Sequence, residues 1–475
     1  MSIINIRPVS FIFLILILST ISMSQRNESD PSAIIAKVDR RIELASIVVR
    51  LAGYDEYQQN VQKKYASDVD VYFQKFRDHP VVALARRLRE ENGIGFDAVP
   101  SLAVHLGHDL DPKFPFTDSA PDKRWGGKNA AEFAALLKKF AADTHSDAFF
   151  DAHTEFYKTV ESRMQEVVDK IDLKWYRTFY GEMPNGTFNL YIGLLNGGMN
   201  FGPKVIFPDK HEELYAVIGA WQADESGLPV FTDNFLPIII HEFNHSFVNH
   251  VFDENIALFR SYGPDIYTPV ADKMRSQAYA DWQTTLAESL VRAAVCRYLY
   301  DHQKVEQLKN EFAEQESRGF LWIDDLFILM GAFESDRARY PTFRSYMPHI
   351  AGYLKEVSAQ MPDRLDQYDS HSPKIAAVET FKNGDQDVDP NIKEITFVFD
   401  RPLSGQGRSI NESDHSGDSF PVKEGFRYSP DKMKVAIEVD LKPDTEYGFT
   451  LTGLAFKTRD GFSLKNYTIR FRTRK

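Results

Sequence analysis

The stretch LPIIIHEFNHSFVNHVF, Leu236–Phe252, decides how the chain is read. Pro237 suits a first helical turn, and Ile238, Ile239, Ile240, Phe243, Phe247 and Val248 leave little of the segment polar, so it predicts a largely buried helix. His241 and His245 are four residues apart and therefore stack on one face of it. Glu242 follows His241 directly and projects beside the pair. Two neutral imidazoles at this spacing can hold one zinc ion. The adjacent carboxylate can take a proton from a water whose pKa the ion has lowered to about 7. The HExxH pattern thus makes His241 and His245 candidate ligands and Glu242 a candidate general base. The competing reading is two core histidines satisfied by carbonyls, but burying imidazoles and a carboxylate without a metal leaves polar groups in need of partners.

The third ligand has to be found elsewhere. His250 lies nine residues from His241, which at about 100° per residue puts it on the far side of the helix. The positions where a metzincin carries glycine and histidine are Val248 and Val251. The next long helix, AYADWQTTLAESLVRAAVCRYLY, reads as buried nearly all round, and Glu288 shares its angular position with Val295 and Leu299. A carboxylate placed there needs a cation. Zinc is one; an i, i+4 partner, Arg292, is the other. Glu254, Asp265 and Asp281 are rivals: Glu254 falls where the motif helix ends, and Asp265 sits in a Tyr-Gly-Pro-Asp turn that it can cap.

Around this centre, 475 residues exceed one ordinary domain and predict two or three. The single cysteine, Cys296, excludes an intrachain disulfide framework and any Cys-rich zinc ribbon, so a metal site must use His and carboxylates. A formal charge of -12 argues against nucleic acid as the partner, since phosphate backbones reward positive charge. The N-terminus carries Arg7, an apolar run Phe11–Leu18 and a Ser22-Met23-Ser24 ending. This is the layout of a signal peptide over residues 1–24, with a core too short to span a bilayer, and it predicts an exported, periplasmic or secreted chain without a membrane span after cleavage.

The remainder divides in two, an α+β arrangement of a helix-rich domain with a small sheet over residues 30–365 and an all-β sandwich over 372–475. Asp39–Leu51 and Ala130–Ala142 have apolar residues at helical spacing. FNLYIGLLNGGMNFGPKVI, broken by Gly193, Gly197, Gly198 and Gly202, reads as strand, loop, strand, and Leu214–Trp221 as a further strand. The polar segment Gln360–Lys374, with two prolines, is the expected boundary. Beyond it Ile395, Phe397 and Phe399, then Val435, Ile437 and Val439, then Tyr447, Phe449 and Leu451, and lastly Ile469 and Phe471 alternate with period two, as sandwich strands do.

With HEFNH followed by a helix carrying AESLVRA, the stretch from Asn189 to Tyr298 resembles the gluzincin zinc metallopeptidases, in an exported bacterial branch of that group. The resemblance implies His241, His245 and Glu288 as Zn2+ ligands, Glu242 as general base and a peptide or protein as substrate. It also implies that the strand Phe188–Asn196 is a sheet edge to which an extended peptide adds, or else one arm of a hairpin. A Tyr, His or Arg donor for the oxyanion belongs to such sites; ARYPTFRSYMPHI offers Tyr340, Tyr346 and His349, of which Tyr340 is the candidate. The C-terminal segment, through ITFVFDRPL, LKPDTEYGFTL and YTIRFRT, is similar to bacterial Ig-like domains, which implies a spacer or a module for surface or glycan contact. A zinc-dependent hydrolase of non-peptide amides and a surface binding protein without activity are the alternatives.

Overall fold

A computed structural model describes residues 33–475 except 414 and 416. The expected signal peptide lies outside the described residues. The larger unit begins with a two-residue strand, β1 (Ala36–Lys37), and the helices α1 (Arg40–Leu51), α2 (Lys63–Phe73), α3 (Pro80–Asn92), α4 (Ala98–Val104), α5 (Gly126–Thr144), α6 (Ser146–Ala152), α7 (Thr154–Val168) and α8 (Leu173–Tyr180). Asp39 caps α1 through its side chain, so the helix starts one residue after the sequence expectation. A small sheet follows, made of β2 (Gly186–Gly193), β3 (Asn200–Phe201), β4 (Lys204–Ile206) and β5 (Glu212–Gly219). Then come α9 (Leu236–Asn255), α10 (Gly263–Tyr267), α11 (Ala271–Arg275), α12 (Trp282–Asp301), α13 (Val305–Ser317), α14 (Ile323–Ser335) and α15 (Phe343–His371).

The sheet corrects one expectation. β2 is no edge: it runs parallel to β5 from Gly186 opposite Glu212 to Gly193 opposite Gly219, and β1 pairs with its other side at Leu190 and Tyr191. The Gly197–Gly198 loop instead carries the chain past the end of β5, so that β3 and β4 pair antiparallel with the outer side of β5. No hairpin joins β2 to β3, because β5 lies between them. β2 is deeply buried from Leu190 to Gly193, as a strand paired on both sides and covered by helices should be.

α9 lies between this sheet and α12. Phe243 meets Phe188 of β2 edge to face at 5.0 Å, while Ile239, Ile240, Val248 and Val251 are sealed from solvent. Asn244, fully buried, accepts from the Tyr180 hydroxyl at 3.0 Å and donates to the Val291 carbonyl at 3.3 Å, tying α8 and α12 to the motif helix. Removing that carboxamide would orphan both partners, a cost of roughly 1–3 kcal/mol each.

The second unit is a sandwich with its own core. One sheet has the order β6 (Ile375–Val378), β7 (Glu394–Phe399), β10 (Lys434–Val439), β9 (Val422–Tyr428); the other has β12 (Tyr467–Arg472), β11 (Glu446–Leu451), β8 (Ile410–Glu412). The alternating residues read from the sequence face inward: Ile395, Phe397, Val435, Ile437, Phe449 and Ile469 are fully buried. The Tyr447 hydroxyl accepts from the Lys442 amide at 2.7 Å, a corner contact found in sandwiches of this type.

The expected linker Gln360–Lys374 is helix for most of its length. α15 runs to His371 with Pro348 and Pro362 inside it, and Val357, Met361 and Tyr368 are buried along it. Apolar burial on this face outweighs the hydrogen bonds that the prolines remove. At its end Phe462 of the sandwich packs on Tyr368 and stacks on His371, the Tyr368 hydroxyl accepts from the Ser463 amide at 3.1 Å, and Arg401 donates to the Ser370 carbonyl at 3.0 Å. Gly461 abuts Ala313 of α13, where an added Cβ would lie 3.2 Å from the alanine methyl. Among the described residues no helix is long and apolar enough to cross a membrane.

Candidate metal centre

The two motif histidines and Glu288 converge. One ligand atom from each of His241, His245 and Glu288 lies within 4.8 Å of the others. His241 Nε2 is 3.6 Å from Glu288 Oε2, and His245 Nε2 is 3.4 Å from Glu288 Oε1. A tetrahedral ion with ligands at about 2.0–2.2 Å separates its donors by roughly 3.3–3.6 Å, which these two imidazole–carboxylate distances match, and the N/O donors are of the kind zinc takes. The two imidazole planes stand at 89° to each other, which suits two corners of one polyhedron better than a stacked pair.

The surroundings set the ionisation and orientation of these groups. Burial, aided by the charges of Arg292 and His245, pushes the His241 pKa well below its usual value and keeps the ring in its neutral, metal-binding form. Asn249 Oδ1 lies 3.3 Å from His245 Nδ1; with that nitrogen donating, Nε2 carries the lone pair aimed at Glu288. Glu242 is 6% exposed, and its burial pushes the carboxyl up to about 7, with His245 opposing and the charge of Glu288 adding to the rise. No hydrogen bond to its carboxylate is found among the described residues. Gly202, just past β3, packs so close to α9 that a Cβ there would lie 2.4 Å from the Glu242 carbonyl and 3.3 Å from its Oε2. The outer edge of the sheet therefore passes directly beside the candidate base.

Of the two cations proposed for Glu288 from sequence, the structure holds Arg292. The carboxylate faces the histidines, and it also pairs with Arg292 at 3.2 Å. The rivals are elsewhere: Glu254 pairs with Arg344, Asp265 sits in the first turn of α10, and Asp281 caps α12 by accepting from the Thr284 amide at 2.8 Å. His250 lines a separate small pocket with Glu182, Glu212, Ser246 and Arg344. Tyr340 packs away from the triad residues: its hydroxyl meets His349 at 3.2 Å and its ring packs edge to face on Tyr346. The hydroxyl beside the triad is that of Tyr279, which donates to Glu288 Oε2 at 3.1 Å. Sequence reasoning missed it because Tyr279 lies in the turn ahead of α12, where no periodicity shows which way a side chain faces. Asn244 left a fainter signal, a carboxamide within an apolar helix.

A comparison with curated proteins finds no match. Among solved structures, the chain is similar to part of the surface layer protein SbsC, domains 1-6, at 12% identity and a TM-score of 0.17, covering 50% of this chain and 33% of that one. The S-layer protein rSbsC(31-844) gives 13% identity and 0.17 over 50% and 33%, and the N-terminal part of the bacterial S-layer protein SbsC gives 12% and 0.17 over 51% and 58%. The chain thus spans about a third of the first two and just over half of the third, and likeness at this level implies neither a shared fold nor a shared role. A family model covers far more, matching residues 34–352, from β1 into α15 and across the whole metal centre. By that match the chain belongs to the family described as a domain of unknown function, DUF4932.

Proposed function

We propose that the chain is an exported zinc-dependent metallopeptidase of the gluzincin type. One observation carries the reading: two histidines one helical turn apart and a glutamate from the next long helix meet at the spacing of a single ion, with a second, buried glutamate alongside. His241, His245 and Glu288 would hold the zinc, which when bound polarises the scissile carbonyl and eases deprotonation of water. Glu242 takes the proton of the attacking water and returns it to the leaving amine. A carboxyl held near neutrality suits both transfers. An extended peptide would add along β3 and β4, the outer edge beside Glu242, and not along the interior strand β2.

The test is the zinc content of the purified chain Gln25–Lys475 by plasma mass spectrometry, with His245→Ala as its pair. About one zinc per chain, lost in the variant, supports the reading and opens peptide-library screening. Absence of zinc from both samples after reconstitution overturns it and leaves a binding protein.

A further inference from the structure

Glu288 is gripped by one oxygen. Its Oε2 accepts from the Tyr279 hydroxyl at 3.1 Å and lies 3.2 Å from Arg292 Nη2. The guanidinium is itself fixed on several sides. Nη2 donates to the Tyr279 oxygen at 2.7 Å, Nη1 donates to Gln315 Oε1 at 2.7 Å, and the group lies over the Phe320 ring at 4.9 Å. Gln315 is 2% exposed and donates in turn to Glu311 at 2.6 Å. Gln315 of α13 and Phe320 thus brace Arg292, and Arg292 and Tyr279 both reach Glu288 at Oε2. Oε1 faces His245 Nε2 at 3.4 Å, and Oε2 also lies 3.6 Å from His241 Nε2.

We propose that Tyr279 and Arg292 are positioning residues that hold Glu288 through Oε2 and so leave Oε1 as its freer donor to a divalent cation shared with His241 and His245. The proposal rests on the triad being a zinc site and adds how that site is kept open. A glutamate free to turn can bind through both oxygens, filling a further coordination position and favouring hard, oxygen-preferring ions. Held by one oxygen, it gives an N/N/O set with room for water. The positive guanidinium weakens the pull of the carboxylate on a cation, so its benefit here is geometric. Arg292→Lys keeps the charge and loses the fork, and Tyr279→Phe changes no charge at all.

The experiment uses the chain Gln25–Lys475 stripped of metal and loaded with Zn2+ or Co2+ alone. Zinc affinity is read by competition with a chromophoric chelator, and coordination by the visible absorption of the cobalt form, which is stronger for four ligands than for five. Both variants should lose zinc affinity by about 10-fold or more, in the range for residues that orient metal ligands, and their cobalt bands should weaken as the second oxygen enters. Tyr279→Phe removes only a hydroxyl and so decides the matter even where Arg292→Lys fails to fold. Unchanged affinity and spectrum in a folded Tyr279→Phe chain, even with a lower melting temperature, overturns the positioning role and leaves the metal site standing. Failure of the wild-type chain to bind either ion overturns both.

Discussion

Two glutamates in the larger unit are buried and have their carboxyls pushed up to about 7, yet their surroundings differ in kind. Glu43 of α1, fully buried, accepts from the Tyr65 hydroxyl at 2.8 Å and from the Leu194 amide at 2.9 Å, and Tyr65 bonds onward to Tyr157 at 2.9 Å. Its oxygens are spent on holding the loop that leaves β2. Glu242 is also buried, at 6% exposed, but has no such partners among the described residues, and it stands next to two imidazoles and a second carboxylate. A raised carboxyl pKa alone therefore does not mark chemistry. The mark is a buried carboxylate whose oxygens remain uncommitted beside groups able to bind a metal.

The sharpest way to break this contrast is to neutralise each residue. Glu242→Gln should retain zinc and lower peptide turnover by about a thousandfold, the size of a lost general base; near wild-type turnover with zinc in place removes that role. Glu43→Gln should leave turnover intact and change the pH profile of stability instead. Burial raises the Glu43 pKa from its ordinary 4.5 to about 7, so the folded chain keeps a proton that the unfolded chain releases. That stabilisation is complete below pH 4.5 and is lost as pH rises through 7, a decline of about 3 kcal/mol. Urea unfolding followed by helical circular dichroism should show the slope in the wild type and a flatter one in the variant; equal slopes would mean that Glu43 does not hold its proton. The smallest effect is expected from Tyr340→Phe, whose lost contact is with His349: turnover should change by less than about 2-fold, where loss of an oxyanion donor costs about 100-fold or more.

What could be read in the sequence followed from periodicity. The i, i+4 histidines, the buried Glu288 and the alternating sandwich strands are properties of one element each, and the chain states them directly. What could not be read depended on distant pairing. β2 looked like an edge because the strand that covers it, Ala36–Lys37, is two residues long and lies about 150 positions earlier. Tyr340 and Tyr279 are equivalent as letters, and only packing brings one of them to Glu288. Gln360–Lys374 looked like a connector because prolines and polar residues outnumber its apolar ones, yet Met361 and Tyr368 suffice to seat it as helix.

That helix has a mechanical consequence. With α15 continuous almost to β6, and with Phe462 locked over its last turn while Gly461 rests on α13, the sandwich is joined to the larger unit as a bracket and not as a trailing tether. A surface that gripped the sandwich would thereby fix the heading of the face that carries His241, His245 and Glu288. Such a chain would be aimed by its anchor, and its working range would be set by where the anchor stands.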